Sequence, residues 1–329
     1  MRSAGLLLLV LALALVLGCS SKSTTTTTSS PSSSPSSSSS PSSSPSSSVV
    51  AVPVAVPGSP SPLSSAPAVA LGGVGITVPA SIKPGERRPF VLYLHGLGAS
   101  GKLLVSSLGV AALAEDRRFV YAAPDGAQDS RKRRFWNAWA ACCDLEKIGV
   151  DHVGALRGLL AQAAAHPQVD PQKLFVVGFS NGGFMAHRLA CEVEGIAGIA
   201  SMAGAGPMPE EVCTPRGPVA VLQVHGDADD VIPFQGGHPL KKASLPRHPS
   251  APETVAGWAS RNGCTSREPA TTGTLDFEER IPEEETRMGL YTGCKRPVAL
   301  WTVRGGNHYI GAHRKGQEAI FNFLEKNAR

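Results

Sequence analysis

The segment "GFSNG", residues 178–182, places a serine where it could act as a nucleophile. "KLFVV" before it has the composition of a strand, and "GFMAHRLAC" after it has that of a helix. A sharp strand-to-helix turn lifts a serine hydroxyl clear of the sheet, and flanking glycines relieve the crowding there. The backbone N–H of Asn181 would then face the developing oxyanion. We therefore predict Ser180 as a nucleophile, the alternative being a serine that merely caps a helix.

A serine hydroxyl needs a general base, and the base needs an orienting acid, in the chain order Ser, Asp, His. "RGGNHYI" places His308 on a glycine-flanked loop after the last strand-like run, which favours it as the base over a solvated loop histidine. "VHGDADDVIPF", after the preceding run, offers Asp227, Asp229 and Asp230. Position alone does not choose among these three acids.

A second oxyanion donor is expected in "LHGLGASG", residues 94–101, which follows an early strand-like run. Glycines there let the backbone approach a substrate, and the N–H of Leu97 or Gly98 could donate the bond. We take Leu97 as the donor. His95 in the same segment is expected to be structural, because His308 is the better-placed base.

These groups stand at the ends of continuous apolar runs that alternate with stretches of helical periodicity. Runs that are hydrophobic throughout indicate a sheet buried on both faces, and such sheets place their sites at the carboxyl ends of the strands. The sequence therefore predicts an α/β fold with a mostly parallel central sheet and helices on both faces. The predicted strands are residues 89–96, 118–126, 173–180, 195–204, 218–227 and 297–308. The predicted helices are residues 101–114, 150–166, the segment after Ser180, 251–263 and 312–327.

The N-terminal residues have the pattern of an export signal followed by a tether. Residues 1–18 contain an early Arg2 and the apolar run "LLLLVLALALVLG", which predicts a signal peptide. Cys19 follows directly and is a candidate for lipidation, the alternative being plain cleavage that leaves a soluble secreted protein. Residues 19–69 are rich in Ser, Thr and Pro and predict a disordered tether. We expect a catalytic domain over residues 70–329, exported to the cell surface, the periplasm or the medium, with membrane attachment through the lipid.

Charge and cysteine content bear on partners and cofactors. The net charge of +5 is mild, and no basic stretch interleaved with aromatic residues indicates nucleic-acid binding. No CxxC pair or His/Cys cluster suggests a metal, and no cofactor is implied. Six cysteines follow Cys19, an even number that suggests disulfides in an exported chain. Trp136 and Trp139 follow the strand end "APDG" and could form an aromatic wall of the pocket or lie buried under a loop.

Several motifs occur in one order: "LHGLGAS", "APDG", "WNAW" with "CC", "VDHVGAL", "VDPQKLFVVGFSNGGFMAHRLAC", "VHGDADDVIPF", "NGC" and "GGNH". Together they resemble the secreted α/β-hydrolases of the polyhydroxybutyrate depolymerase and feruloyl esterase-like family. The resemblance covers nearly all of the folded part. It implies an α/β-hydrolase fold with Ser180 as nucleophile, His308 as base and Asp229 as the acid.

The same resemblance implies further details. In that family "NGC" pairs with a cysteine before the last strand, which makes Cys264–Cys294 the expected disulfide. Cys142 and Cys143 would then pair with Cys191 and Cys213, in an order left open. The family often has "TWP" where this chain has "YIG" after His308, so Tyr309 is expected to border the pocket and to affect substrate preference.

The resulting hypothesis is a serine carboxylic-ester hydrolase acting on polyhydroxybutyrate-type esters or on feruloyl or acetyl esters of polysaccharides. Two alternatives stay open at this point. One is a serine peptidase of the same fold, and the other is a surface-tethered binding protein without catalysis.

Overall fold

The six predicted strands and two further ones form one eight-stranded sheet in the computed structural model, which describes residues 71–72 and 75–328. The strands lie in the order β2-β1-β5-β6-β7-β10-β9-β8. They are β1 (Arg88–Leu94), β2 (Val120–Ala122), β5 (Val169–Phe179), β6 (Ile196–Met202), β7 (Ala220–Gly226), β8 (Ala270–Leu275), β9 (Thr286–Leu290) and β10 (Val298–Val303). A separate two-stranded ribbon consists of β3 (Ala127–Gln128) and β4 (Arg134–Phe135). The strands from β2 to β10 pair in parallel, whereas β9 runs antiparallel to both β10 and β8.

Helices cover both faces of this sheet, as predicted for the α/β-hydrolase fold. They are α1 (Gly101–Ser107), α2 (Val110–Arg117), α3 (His152–Ala165), α4 (Asn181–Glu192), α5 (Ala251–Arg261) and α6 (Arg314–Lys326). Alternate residues of each strand point to opposite faces. One apolar core therefore joins Val176 and Val221 to α3, α4 and α5, and the other joins Val177 and Val224 to α1, α2 and α6.

Two predicted elements differ from the observed ones. The single helix expected over residues 101–114 is divided into α1 and α2, because Gly109 between them has a φ of 62°, a left-handed conformation that glycine adopts without steric cost. The strands β8 and β9 were not predicted. Most residues of β8 are exposed, and its polar "ATTGTL" lacks the continuous apolar pattern that identified the central strands.

Three disulfides lie within the described residues, and one of the two pairing predictions is wrong. Cys264 bonds to Cys294, as the resemblance implied. The other expected pairings are not formed, because Cys191 at the end of α4 bonds to Cys213, and Cys142 bonds to its neighbour Cys143. The vicinal pair lies in a tight loop closed by two backbone hydrogen bonds between Trp139 and Cys142, of 2.9 and 3.1 Å.

The N-terminal predictions, namely the signal peptide over residues 1–18, Cys19 and the tether over residues 19–69, lie outside the described residues. Within the described part, none of the helices has the length and apolar character needed to span a membrane.

Candidate active site

Ser180 occupies the sharp turn between β5 and α4. Its φ of 54° and ψ of −119° lie in a backbone region that residues other than glycine rarely adopt. Its N–H donates to the Met202 carbonyl at 2.8 Å. A Cβ atom added at Gly178 would lie 2.0 Å from the Gly182 carbonyl oxygen, and one at Gly182 would lie 2.0 Å from that of Leu94. Both flanking residues must therefore be glycine for helix and strand to approach so closely.

Ser180, His308 and Asp229 meet at the carboxyl edge of the sheet although they are far apart in sequence. The Ser180 hydroxyl lies 3.0 Å from Nε2 of His308, and Nδ1 of His308 lies 2.8 Å from Oδ2 of Asp229. An ionised carboxylate can only accept, so Nδ1 carries the ring hydrogen and Nε2 is free to accept from the serine hydroxyl. All three side chains are buried. This arrangement can move a proton from the serine to the imidazole.

Among the three candidate acids, the structure brings Asp229 to His308. Asp227 and Asp230 are exposed, and Asp227 instead accepts a 2.7 Å hydrogen bond from the N–H of Gly305, which ties the two loops together. The other Asp229 oxygen, Oδ1, accepts from two backbone N–H groups, those of Val231 and Ile232 at 2.9 and 2.8 Å. The turn after β7 therefore holds this carboxylate in one orientation.

A second histidine, His225, also reaches the Asp229 carboxylate, a contact the sequence reasoning did not include. Its Nε2 lies 3.2 Å from Oδ2 of Asp229 and 2.8 Å from the carbonyl oxygen of Ile232. Burial by itself raises the pKa of Asp229, but the hydrogen bonds from His225 and His308 outweigh it and hold that pKa below its usual range. The carboxylate therefore stays ionised. The motif "HG" at the end of β7 was the available signal for His225.

Two backbone N–H groups beside Ser180 have the properties of oxyanion donors. Asn181 is the first residue of α4, so its N–H has no acceptor within the helix. No hydrogen bond of the described residues uses the N–H of Leu97, whereas the N–H of Gly98 donates to the Arg134 carbonyl at 2.7 Å. The loop after β1 lies against the nucleophile, because a Cβ added at Gly96 would be 3.3 Å from Cβ of Ser180. Of the two residues considered in that loop, Leu97 is the one left free to donate.

The side chain of Asn181 has a structural task. Its Oδ1 accepts from the Trp136 N–H at 2.7 Å, and its Nδ2 donates to the Trp136 carbonyl at 2.9 Å. This pair of bonds connects the start of α4 to the loop that follows β4. Since Asn181 is the residue after Ser180, the connection also fixes the direction of the backbone N–H at the nucleophile.

Trp136 and Trp139, for which an aromatic wall and burial under a loop were both considered, are buried. Trp136 has no exposed surface, its indole N–H donates to the His95 carbonyl at 2.9 Å, and its ring contacts those of His95 and His152. Trp139 is 9% exposed and lies under the guanidinium of Arg188, 5.8 Å from the ring centroid. Of the two alternatives, burial under a loop rather than an aromatic wall of the pocket is therefore the one observed.

Two other aromatic side chains flank His308. The Tyr309 ring lies 5.4 Å from the His308 ring, and the Phe179 ring lies 5.3 Å from it on another side. Both residues are half-buried, and burial raises the pKa of Tyr309. Tyr309 was expected near the pocket, whereas Phe179 was missed although it immediately precedes the nucleophile.

The loop carrying His308 is held from behind by the segment between β8 and β9. The Glu278 carboxylate is buried, accepts from the Gly311 N–H at 3.2 Å and contacts Nε2 of His313 at 3.0 Å. Arg280, which is bonded to Glu278, also donates to the carbonyl of Tyr309. Burial opposes the ionisation of Glu278, but these cationic partners outweigh it and lower its pKa. Within the described residues, no group of three or more His, Cys, Asp or Glu side chains could hold a metal ion.

A comparison with protein families places the chain. Residues 80–246, about half of the chain, match the family model described as phospholipase/carboxylesterase. The chain belongs to this family. The matched phospholipase/carboxylesterase region contains Ser180 and Asp229, and His308 follows it.

Curated relatives of this phospholipase/carboxylesterase family member carry esterase names. A protein of Nocardia uniformis subsp. tsuyamanensis named as a candidate esterase, NocK, is 31% identical over 238 residues, which are 68% of this chain and 65% of that protein. Feruloyl esterase B of Piromyces equi is 26% identical over 242 residues, which are 71% of this chain and 42% of that protein. The chain thus spans less than two thirds of the length of either relative.

A solved structure shares the fold. An acetyl xylan esterase from Aspergillus awamori aligns with a TM-score of 0.53 at 16% identity, over 75% of this chain and 93% of that one. At this identity the likeness concerns the α/β-hydrolase fold alone.

Proposed function

We propose that this chain is a serine carboxylic-ester hydrolase. The observation that carries the proposal is the series of hydrogen bonds from Ser180 through His308 to Asp229, beside two N–H groups without partners in the described structure. His308 takes the proton from Oγ of Ser180 as that oxygen attacks the ester carbonyl carbon. Asp229 holds the imidazole in the required tautomer and stabilises its charged form.

The rest of the proposed reaction completes acylation and then hydrolyses the acyl-serine with the same groups. The N–H groups of Leu97 and Asn181 donate to the oxyanion, and the positive end of the α4 dipole favours the same negative charge. His308 then gives its proton to the leaving alcohol oxygen as the bond from carbon to that oxygen breaks. Water, deprotonated by His308, then attacks the acyl carbon. As the bond from that carbon to Oγ of Ser180 breaks, His308 returns the proton to Oγ, which releases the acid and the free serine. This route uses no cofactor.

The proposed substrates are feruloyl or acetyl esters on polysaccharides. The feruloyl esterase name of one relative supports this class. The half-buried rings of Phe179 and Tyr309 beside His308 offer flat surfaces for a planar aryl acyl group. Oligomers of hydroxybutyrate are the competing substrate.

A fluorophosphonate probe tests the nucleophile. The wild type should be labelled, and Ser180→Ala should abolish labelling with its folding unchanged by circular dichroism. Ser106→Ala, at an exposed position of α1, is the matched control and should label like the wild type. A folded wild type that resists the probe would leave the binding-protein alternative in place of the hydrolase.

A substrate panel tests the acyl preference. Methyl ferulate, acetylated xylan, a hydroxybutyrate trimer and a peptide amide are compared by kcat/KM. We expect the feruloyl ester to be the best substrate, and Tyr309→Ala to reduce its kcat/KM several-fold relative to that for acetylated xylan. Preference for the trimer would replace the proposed substrate class, and preference for the amide would indicate a peptidase.

We also propose that the protein is exported and anchored through lipid on Cys19. The apolar segment before Cys19 and the polar segment after it support this, as do three disulfides in the described part, which persist in oxidising compartments. Mass spectrometry of the native N-terminus is the test. A diacylated Cys19 is expected, whereas an unmodified N-terminus in the medium would mean plain secretion.

A further inference from the structure

A line of buried polar side chains leads from Asp229 into the core on the α4 and α5 side of the sheet. It consists of His225 and Gln223 on β7, His187 on α4 and Trp258 on α5, none of which is more than 1% exposed. Polar groups at this depth must be hydrogen-bonded to be tolerated. Each consecutive pair in the line is within hydrogen-bond distance.

At the inner end of this line, the chemistry of Trp258 and His187 determines which ring nitrogen carries the hydrogen. The indole N–H of Trp258 can only donate, and it lies 2.9 Å from Nδ1 of His187. That nitrogen must therefore be the bare one of a neutral ring. Burial lowers the pKa of His187 to about 4, so the ring is neutral near pH 7. Its hydrogen is then on Nε2, which donates to Oε1 of Gln223 at 2.9 Å.

The orientation of the Gln223 amide determines which nitrogen of His225 carries the hydrogen. Its Nε2 lies 2.9 Å from the Gly204 carbonyl oxygen, which can only accept, so the amide cannot be turned round. The same Nε2 lies 3.1 Å from Nδ1 of His225 and donates to it. His225 therefore carries its hydrogen on Nε2. The Ile232 carbonyl, 2.8 Å from that nitrogen, requires the same tautomer from the other end.

We propose that His225 is a positioning residue for the reaction. Gln223, His187 and Trp258 act as a relay that keeps the His225 hydrogen on Nε2, where it donates to the Ile232 carbonyl and holds that nitrogen 3.2 Å from Oδ2 of Asp229. The relay rests on the proposed hydrolase function. His225 acts through Asp229 and does not touch the substrate. Its Nε2–H donates to the Ile232 carbonyl and lies 3.2 Å from the same Oδ2 of Asp229 that accepts from Nδ1–H of His308. The positive end of this N–H dipole therefore limits how strongly that oxygen attracts the imidazolium.

The physical reason lies in the distribution of hydrogen bonds on the carboxylate. A carboxylate with fewer donors is more basic and holds a neighbouring imidazolium more strongly. Without the His225 N–H, Oδ2 of Asp229 would hold the imidazolium of His308 more strongly, and that imidazolium would pass its proton to the leaving alcohol less readily. The titratable groups that face this carboxylate from the surrounding elements are His225, His248, His308, Tyr309 and Asp230.

Ring-nitrogen NMR of the full protein with ¹⁵N-labelled histidine tests the relay without any substrate. At neutral pH we expect His187 and His225 both to be the Nε2–H tautomer, assigned by the loss of their signals in His187→Phe and His225→Leu. The variant Gln223→Met removes both side-chain partners and should shift both remaining signals. An Nδ1–H tautomer at either ring of the wild type would overturn the relay, even if the protein is an active esterase.

Kinetics against pH test the positioning role. His225→Leu should lower kcat by about tenfold and move the acid limb of kcat/KM upward by roughly half a pH unit or more. Gln223→Met should move it in the same direction by less. Val224→Ala, on the same strand but facing the other core, is the matched control, which should lose stability without moving the limb.

The outcomes separate the two proposals. If His225→Leu and Val224→Ala lower stability alike and neither moves the acid limb, His225 is only structural and the positioning role fails. If His225→Leu does not fold, the shift in Gln223→Met decides. An unlabelled wild type in the fluorophosphonate assay would overturn the hydrolase proposal and with it the role of His225, while the tautomer result would stand.

Discussion

Asp229 accepts three hydrogen bonds, from the N–H groups of Val231 and Ile232 and from Nδ1 of His308, and it lies 3.2 Å from Nε2 of His225. By contrast, the N–H groups of Leu97 and Asn181 have no partners in the described structure. Ser180, which directly precedes Asn181, also has a backbone conformation that costs free energy. Unsatisfied donors and strain thus gather on the side where the oxyanion of an ester would develop. The satisfied side is where a permanent charge is buried.

The contrast between the hydrogen-bonded carboxylate and the N–H groups without partners explains how such a site can be both stable and reactive. A buried carboxylate without donors would take up a proton, so its hydrogen bonds keep the charge that the base requires. Donors that face the oxyanion must not be occupied beforehand, because a bond they already made would have to be broken in the reaction. The cost in stability is therefore concentrated at a few backbone groups.

The largest expected effect on activity comes from removing the negative charge of Asp229. Asp229→Asn should lower kcat by about ten-thousandfold, because the amide cannot stabilise the imidazolium and favours the wrong tautomer of His308. Steady-state hydrolysis of an aryl ester measures this. Asp230→Asn, one residue on and exposed, is the matched control and should retain most of the activity. Equal losses in both variants would contradict the assignment of Asp229.

A smaller effect on kcat is expected from removing the Asn181 side chain, which holds the backbone next to Ser180. Asn181→Ala leaves the Trp136 N–H unpaired and removes one of the two hydrogen bonds to the Trp136 carbonyl, which keeps the bond from the Cys143 N–H. We therefore expect kcat to fall by roughly tenfold or more and the free energy of unfolding by about 2 kcal/mol. Asn262→Ala is the control, because that buried side chain bonds the Val219 and Arg296 carbonyls away from the site. It should lose comparable stability with kcat retained. If kcat falls equally in both, the loss reflects general destabilisation.

Two buried histidines should make the protein less stable as the pH is lowered. Burial lowers the pKa of His152 and of His187 to about 4, below the value near 6.5 of an unfolded histidine. The unfolded chain therefore binds protons first, so their contribution is complete above about pH 6.5 and is lost as pH falls to about 4. Melting temperatures between pH 7.5 and 4 should show this decline. His187→Phe should flatten it, and an unchanged slope would contradict the assignment.

The smallest expected effect is a gain in stability on the strained side. Ser180→Gly removes the Cβ atom that makes a φ of 54° costly, so the free energy of unfolding should rise by up to about 1 kcal/mol while activity is lost. Ser180→Ala, which keeps the Cβ atom, is the control and should not gain. Urea unfolding of both variants measures the difference. Equal stabilities would mean that the turn stores no strain.

Much of this arrangement could be predicted because the signals are local. The continuous apolar runs predicted the strands of the parallel sheet, and "GFSNG" with its neighbours predicted the turn at Ser180. Parallel strands bring their carboxyl ends to one edge, so polar residues after three such strands were expected to meet. The order of Ser180, the acids and His308 along the chain followed from the same reasoning.

Other features were not predictable, since they depend on contacts between distant segments. Trp258 and His187 are brought together because α5 and α4 pack on neighbouring strands of the same sheet face, and Gln223 joins them because alternate residues of β7 face that side. Nothing in the segments around Trp136 and Cys142 showed that the tryptophan would be covered or that the cysteine would bond to its neighbour.

The sequence by itself determined the class of fold, the turn at Ser180 and the candidate groups at the strand ends, because propensity, periodicity and glycine requirements act over a few residues. Position in the sequence did not choose among Asp227, Asp229 and Asp230, and the family resemblance that implied Asp229 gave no contact. The tertiary structure put Asp229 beside His308, left the N–H of Leu97 rather than that of Gly98 without a partner among the described residues, and alone showed His225 next to the carboxylate. These choices depend on strand register and loop packing, which set distances of a few ångströms that no local pattern encodes.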